Sequence, residues 1–166
     1  GFVAVHQWNF FERYEVLAEA TEGATLLINC PLPTAALWDA LPREAQETII
    51  ARRLRVFAID AATVAREAGM GTRINTIMQT CFFALAGIFP REEALEYIKG
   101  AIKKTYGPKG EEVVRKNYAV VDASLEHLHE VIVPAAVTAD HEREPIVSRG
   151  APSFVREVTA MMLANQ

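Results

Sequence analysis

The sequence has 166 residues, of which 51% are hydrophobic and 23% are charged, and its formal net charge at pH 7 is −4. This length and composition predict one soluble globular domain with a substantial core. The acidic balance argues against a nucleic-acid surface, which needs a concentrated basic face, and no apolar run reaches the roughly 18 residues of a membrane span.

The cysteines and histidines indicate neither a disulfide framework nor a metal site. Cys30 and Cys81 lie far apart in apolar sequence, and the histidines lack a metal-binding spacing. An iron–sulfur cluster takes four cysteine ligands. No signal peptide is visible, so a cytoplasmic location is expected. The chain opens at Gly1 inside a predicted strand, which indicates a piece of a longer polypeptide.

Short apolar strands alternate with helices along the first 60 residues. The predicted strands cover 2–5, 24–29 and 54–59, and the predicted helices cover 9–20 and 34–53. Pro42 breaks the second helix. Such alternation indicates βαβ units and a parallel sheet covered by helices on both faces. Three strands leave an exposed edge, so further strands are expected from upstream sequence or from a partner.

The rest of the chain is predicted to be mainly helical and then extended. Helices are expected at 61–68, 73–88, 91–106 and 108–130, and a short amphipathic helix at 153–164. Prolines and mixed charge after Val133 favour an extended linker or wrapping arm. The predicted fold is therefore a three-layer, Rossmann-like α/β domain over 1–132, with an open and incomplete parallel sheet. Residues 133–166 are predicted to be the linker.

A glycine turn that runs into a helix, Gly69 to Gln79, carries the most informative polar residues. The apolar positions alone would build a buried helix, yet the segment also contains Thr72, Arg73, Asn75 and Gln79. A helix start offers unpaired backbone N–H groups, and arginine adds a planar donor fork, so together they suit an anionic group. A helix cap combined with a domain-interface contact is the alternative interpretation.

Polar residues also follow the predicted strands. Ligands of open parallel sheets bind beyond the carboxyl ends of the strands, where this chain carries His6, Gln7 and Asn29. His6 has the chemistry of a general base but is equally an interior histidine that binds a neighbouring loop. Asp60 is predicted to cap the helix that begins after it, and Cys30 to be a small buried hydrophobe.

No residue is assigned a catalytic role. The sequence lacks a serine elbow, a phosphate-binding glycine loop and a cysteine pair. Nor are any two carboxylates placed so as to require acid–base chemistry.

Several motifs, in consistent order along nearly the whole chain, resemble one enzyme family. They are His6-Gln-x-Asn-Phe10, Leu41-Pro-Arg-Glu44, Ile59-Asp-Ala61, Gly69-Met-Gly-x-Arg-Ile-Asn-Thr-Ile-Met-Gln79, Lys104-Thr-Tyr-Gly107, Lys116-Asn117, Val121-Asp-Ala123 and Phe154-Val-Arg-Glu-Val-Thr159. Together they resemble the gamma-type domain of pyruvate:ferredoxin (flavodoxin) oxidoreductases and the segment that leads toward a ferredoxin-type domain.

The resemblance implies an enzyme that decarboxylates pyruvate on thiamine diphosphate with Mg, passes electrons through [4Fe-4S] clusters to ferredoxin or flavodoxin, and transfers the acetyl group to coenzyme A. Such an enzyme is expected to be a homodimer. The motifs for the thiamine site and the clusters are absent here, so this chain alone is expected to bind no cofactor and to be inactive. A glycine-rich βα segment would precede Gly1.

Within that resemblance, the gamma-type domain is associated with coenzyme A and with packing between domains. Thr72, Arg73, Asn75 and Gln79 are accordingly candidates for a coenzyme A contact or for an interface with the other domains. A non-catalytic binding or scaffold domain of the same fold is the alternative function.

Overall fold

The computed structural model describes residues 1–88, 90–145, 147 and 149–164. Its strands are β1 (Phe2–Val5), β2 (Thr25–Asn29), β3 (Arg55–Ile59) and β4 (His129–Val131). Its α-helices are α1 (Phe10–Arg13), α2 (Thr34–Ala40), α3 (Arg43–Ala51), α4 (Ala61–Glu67), α5 (Asn75–Leu85), α6 (Arg91–Tyr106), α7 (Glu111–His127) and α8 (Ala160–Ala164). A 3-10 turn covers Gly107–Lys109, and a π-helical turn covers Val155–Thr159.

The strands form one mixed sheet in the order β1-β2-β3-β4. The first three strands are parallel, and Leu27 of β2 lies beside Ala4 of β1 and Phe57 of β3. β4 pairs antiparallel with β3, with His129 opposite Ala58. The predicted α/β class is confirmed. The fourth strand, which closes the β3 edge, departs from the all-parallel sheet of the sequence analysis.

Alternate residues of the central strands enter two cores on opposite faces of the sheet. Leu26 and Ile28 join the core beneath α1, α2 and α3, whereas Leu27 joins the core beneath α4, α5 and α7, and all three are fully buried. A strand buried on both faces must be apolar at every position, which explains the continuous apolar run that was visible in the sequence. Helix α6 packs farther out, against α7, through Ile98 and Ile102.

The helix predicted over 9–20 is wrong in its extent, because α1 ends at Arg13. Tyr14 takes an extended conformation with φ −133° and ψ 152°. The turns that follow are stabilised from another element: Arg52 Nη1 donates to the carbonyl oxygens of Leu17 and Ala18 at 2.9 Å. Tertiary contacts therefore replace the helical hydrogen bonds that the apolar spacing predicted.

Two further boundaries differ for identifiable reasons. α7 stops at His127 rather than continuing to 130, since the next residues pair with β3 as β4. The helix predicted from residue 73 begins at Asn75. The helix break at Pro42 and the helix at 91–106 are confirmed.

Beyond β4, residues 137–144 lie across helices α1–α3, and we call this segment the strap. Its His141 carbonyl accepts from the Arg43 backbone N–H at 3.0 Å. Its Arg143 pairs with Glu15 at 3.0 Å. Within the part of the chain that the structure describes, no helix is long and apolar enough to cross a membrane.

Candidate functional site

The turn between α4 and α5 depends on two glycines with positive φ. Gly69 has φ +70° and Gly71 has φ +64°, a region that side-chain-bearing residues seldom adopt. Between them the Met70 N–H donates to the Ala65 carbonyl at 2.8 Å, which closes the end of α4. The two glycines thus let the chain reverse and start α5 within a few residues.

Helix α5 has a buried face and an exposed polar face. Ile77, Met78 and Cys81 are at most 2% exposed in the core. Asn75 and Gln79 are exposed, and their spacing of four residues puts them side by side on the helix surface. The apolar residues therefore hold the helix against the core. The side chains of Asn75 and Gln79 remain exposed at the surface of the protein.

Arg73, the cationic residue of this region, is also exposed. Thr72 and Arg73 are exposed, and within the described residues the Arg73 guanidinium has no hydrogen-bond or ion-pair partner. Ile74 stands in the N-cap position of α5 and supplies no side-chain hydrogen bond. The first-turn N–H groups of α5 consequently have no side-chain cap, and Arg73 stands two residues before the helix begins.

A shallow cleft of about 290 Å³ brings the strand-end and helix candidates together. Its polar lining residues are His6, Asn75 and Gln79, and its apolar ones are Ala4, Met78 and Phe82. Thr72, Arg73, Gln7 and Asn29 do not line it. The described lining residues include no carboxylate, lysine or arginine, so His6 is the one titratable group among them, and Arg73 does not line the cleft.

The floor of the cleft is anchored to the outermost described strand. Phe2 of β1 meets Phe82 of α5 edge-on, with ring centroids 4.8 Å apart. In the described part of the chain β1 pairs only with β2, and Ala4 is exposed. The cleft therefore lies at the β1 edge of the sheet that the described residues form.

Asn29 is used inside the fold. Its Nδ2 donates to the His6 carbonyl and its Oδ1 accepts from the Ala61 N–H, both at 3.0 Å. One side chain thus joins the end of β1, the end of β2 and the start of α4. It places His6 at the cleft.

Asp60 caps α4 as the sequence predicts. Its carboxylate accepts from the Thr63 N–H at 3.0 Å, a typical side-chain cap. The Asp60 carboxylate therefore serves as the N-cap of α4.

Both cysteines are buried and poorly reactive. Burial raises the pKa of Cys81 to about 12. Burial also raises the pKa of Cys30 above its ordinary value, and the nearby Asp60 charge adds to that effect. Because the thiolate is the reactive form, neither thiol suits nucleophilic or ligand chemistry near neutral pH.

Two structural features carry weak or no sequence signals. Met78 and Phe82 follow Asn75 by three and seven residues, which places them beside it where the buried and exposed faces of α5 meet, so their place in the cleft could have been read from periodicity. The hydrogen bond between Thr34 Oγ1 and His129 Nε2, at 2.7 Å, joins distant residues and has no local signal. Among the described residues, no group of three His, Cys, Asp or Glu side chains could hold a metal ion.

Comparison with known families gives a match over most of the chain. A family model described as "Pyruvate ferredoxin/flavodoxin oxidoreductase" matches residues 1–127. The pyruvate-flavodoxin oxidoreductase of Rhodospirillum rubrum is 54% identical over 165 residues, which cover 99% of this chain and 14% of that protein. The pyruvate:ferredoxin oxidoreductase of Moorella thermoacetica is 36% identical and covers 94% of this chain and 13% of that protein.

A second bacterial relative and one solved structure agree with these matches. The putative pyruvate-flavodoxin oxidoreductase of a Synechocystis species is 51% identical over the whole chain. The chain spans about 14% of the length of the curated relatives it matches. A pyruvate oxidoreductase subunit from Thermotoga maritima has the same fold, with a TM-score of 0.58 at 20% identity, over 77% of this chain and 63% of that subunit.

Proposed function

The chain belongs to the pyruvate ferredoxin/flavodoxin oxidoreductase family, and from this we propose that it serves as the gamma-type domain of an enzyme that oxidises pyruvate. In that reaction the C1–C2 bond of pyruvate breaks, CO2 leaves, and the acetyl group is transferred to the sulfur of coenzyme A. Two electrons pass to ferredoxin or flavodoxin. The carrying observation is identity of up to 54% with a pyruvate-flavodoxin oxidoreductase across nearly the whole chain.

Within this enzyme we propose that the region around α5 contributes to handling of coenzyme A. Arg73 supports this role because its guanidinium is exposed and has no partner among the described residues. A cationic side chain two residues before a helix with uncapped N–H groups suits a phosphate, and Thr72 adds a hydroxyl. Asn75 and Gln79 lie on the same side of α5, where their amides can donate and accept hydrogen bonds.

An interface between domains is the second candidate role for the same residues. The uncharged, partly apolar cleft at the free edge of β1 favours it, because a peptide segment would satisfy both the edge and the amides. In this role Arg73 pairs with a neighbouring domain.

The other cofactors of the reaction do not fit this chain by itself. A [4Fe-4S] cluster takes four cysteine thiolates, and the sequence contains two cysteines, both buried. We therefore propose that thiamine diphosphate with its Mg, and the clusters, are held elsewhere in the enzyme. No step of the thiamine or electron-transfer chemistry is assigned to these residues.

The remaining proposals concern assembly. The partners of the chain are the other domains of the enzyme, with ferredoxin or flavodoxin as electron acceptor, in a cytoplasmic homodimer. Residues 1–132 form the gamma-type domain, and 133–166 lead from it toward a ferredoxin-type domain. A non-catalytic scaffold of the same fold would share this domain boundary but not the response to coenzyme A.

The coenzyme A role is tested by calorimetric titration of coenzyme A into this chain and into the intact enzyme. Desulfo-coenzyme A is the thiol-free ligand, and Arg73→Ala is the test variant. Arg66→Ala is the matched control, since Arg66 is an exposed arginine that bonds only to Thr63 within its own helix among the described residues. We expect Arg73→Ala, but not Arg66→Ala, to weaken binding about tenfold, the effect of one charge-assisted phosphate contact.

The outcomes separate the two roles. Equal weakening for both ligands places Arg73 at the nucleotide portion of coenzyme A. Unchanged affinity in the intact Arg73→Ala enzyme, together with weaker association of the domains, would overturn the coenzyme A role and leave the interface role. The family assignment does not depend on this result.

A further inference from the structure

The strap is joined to helices α1–α3 at two separate places. Near its start, the Thr138 hydroxyl donates to the Asp39 carboxylate at 2.6 Å. Near its end, the Arg143 N–H donates to the Glu44 carboxylate at 3.2 Å, and the Arg143 guanidinium pairs with Glu15 at 3.0 Å. Between these places the His141 carbonyl is bound by the first residue of α3. Both ends of the segment are therefore fixed.

The buried side chain of Gln46 is the main anchor of the strap. It is 0% exposed, and its Oε1 accepts from the Thr138 and Ala139 N–H groups at 2.8 and 3.0 Å. Its Nε2 donates to the Trp38 carbonyl at 2.6 Å. The carboxamide thus binds the backbone of the strap on one side and the end of α2 on the other. It satisfies backbone N–H groups of the strap that a neighbouring strand would otherwise have to satisfy.

The strap contributes little to the apolar core. Ala139 is its one buried residue, and Val137 is half-buried. Its remaining contacts are hydrogen bonds and ion pairs, which water can replace when the strap lifts. Undocking therefore leaves the core beneath α1–α3 intact, which is the property of a segment that opens at low cost.

Arg143 of the strap forms part of the wall of a cavity of about 210 Å³ between α1 and α3. Phe11, Tyr14 and Leu17 line one side of this cavity, and Arg52 lines another. The Arg143 side chain is 19% exposed and is held in place by Glu15. The strap therefore contributes one side chain, Arg143, to the wall of the cavity.

We propose that the strap is a latch that closes this cavity, and that Gln46 is the anchor that makes its two ends dock together. Lifting of the strap removes Arg143 from the cavity wall and releases the Thr138 and Ala139 amides in the same event. Displacement of the chain that follows Glu144 would lift the strap and uncover the cavity. The latch therefore couples the α1–α3 layer to the part of the chain that follows the strap.

Residue-resolved hydrogen exchange on the intact protein tests the latch, with Gln46→Met as the variant. Methionine keeps the volume of the side chain but removes every hydrogen bond of the carboxamide. Gln79→Met is the matched control, because it makes the same replacement on an exposed helix face. We expect the amides of Thr138, Ala139 and Arg143 to exchange on the order of tenfold faster in Gln46→Met and to be unchanged in the control.

The Arg143 amide distinguishes a latch from local fraying. Its acceptor, Glu44, is untouched by the replacement, so faster exchange at Arg143 means that the strap opens as a unit. Acceleration confined to Thr138 and Ala139 would overturn the proposal. If Gln46→Met does not fold, Asp39→Ala removes a surface contact of the strap, and the same pattern with a smaller increase is expected.

Thiol labelling checks the cavity itself. A cysteine introduced as Ala45→Cys lies in the cavity wall, whereas Cys30 and Cys81 are buried and report unfolding of the core. With Gln46→Met we expect faster labelling at position 45 and unchanged labelling of the two native thiols. Equal rates at position 45 with and without Gln46→Met would show that the strap does not cover the cavity.

Discussion

Gln46 and Gln79 carry the same side chain in opposite situations. Gln46 is fully buried, and its amide binds α2 and the strap. Gln79 is exposed beside Asn75, and both line an open cleft. The buried glutamine has its polar atoms hydrogen-bonded within the fold, whereas the exposed one has its polar atoms at the surface, where the ligand or domain contact proposed above would reach them.

The charged groups of the two regions differ in the same way. In the strap region, Arg143 pairs with Glu15, and Arg52 binds backbone carbonyl groups. At the start of α5, Arg73 has no partner among the described residues. Among the described residues the charges of the strap region are therefore paired, and the proposed contact of α5 with a ligand or a neighbouring domain rests on this difference.

The largest difference is expected from replacing each glutamine by alanine. Gln46→Ala leaves the buried Thr138 and Ala139 amides without their acceptor, removes one of the two donors to the Trp38 carbonyl, and creates a cavity. It should lower the free energy of unfolding by about 3 kcal/mol. Urea denaturation measures the change through the transition midpoint at constant m-value. A loss below about 1 kcal/mol would mean that the strap is not held as described.

The buried face of α5 makes the stability of the protein depend on pH through the thiol of Cys81. Burial raises the pKa of Cys81 to about 12, from an ordinary value near 9, so the folded chain keeps the thiol proton after the unfolded chain has lost it. The sign is therefore a loss of stability as pH rises above 9. We expect about 1.5 kcal/mol between pH 9 and 10.5 by linkage.

Denaturation of the parent chain and of Cys81→Ala at several pH values measures this loss. The contributions of Cys30 and of other titrating groups are common to both proteins and cancel in the difference. If the two curves stay parallel between pH 9 and 10.5, Cys81 is not protected by burial.

Substitution of Asn29 tests whether the amide at the end of β2 stabilises the fold through its internal hydrogen bonds. Asn29→Ala removes its bonds to the His6 carbonyl and the Ala61 N–H, and should cost about 1 to 2 kcal/mol. Asn29→Asp keeps an acceptor for Ala61 and should cost less. Chemical denaturation with hydrogen exchange at the Ala61 amide gives both values, and a neutral Asn29→Ala would return this residue to the ligand candidates.

The smallest effect on folding is expected on the open side. Gln79→Ala and Arg73→Ala should each change the free energy of unfolding by no more than about 0.5 kcal/mol, because both are exposed and remove no hydrogen bond described within the chain. Thermal unfolding of the two variants beside Gln46→Ala is the measurement. A loss of unfolding free energy as large as that of Gln46→Ala would contradict the difference described between the strap region and the α5 region.

Local patterns predicted much of the fold. The three parallel strands, the break at Pro42 and the Asp60 cap were readable because each depends on residues that are neighbours in sequence. The clustering of polar residues near Asn75 was readable for the same reason. That His6 meets Asn75 and Gln79 in one cleft follows from packing of α5 on β1 and could not be read from spacing.

The larger misses involve long-range contacts, whereas the later start of α5 is a local boundary difference. β4 has three residues, two of them polar, so it lacks the apolar signal of a strand and exists because β3 offers an unpaired edge. The helix predicted over 9–20 was shortened because Arg52, distant in sequence, binds the turn carbonyls. The anchoring role of Gln46 likewise depends on residues more than 90 positions away.

The order of strands across the sheet sets an order of events during synthesis. The three parallel strands are complete once the ribosome has made Ile59, and β2 and β3 each pair with the strand made just before them. The antiparallel strand that covers β3 is made only with Val131, and the strap follows it. A nascent chain therefore carries β3 as an exposed edge while four helices are being translated, and this interval is when the domain is most open to mispairing with other chains.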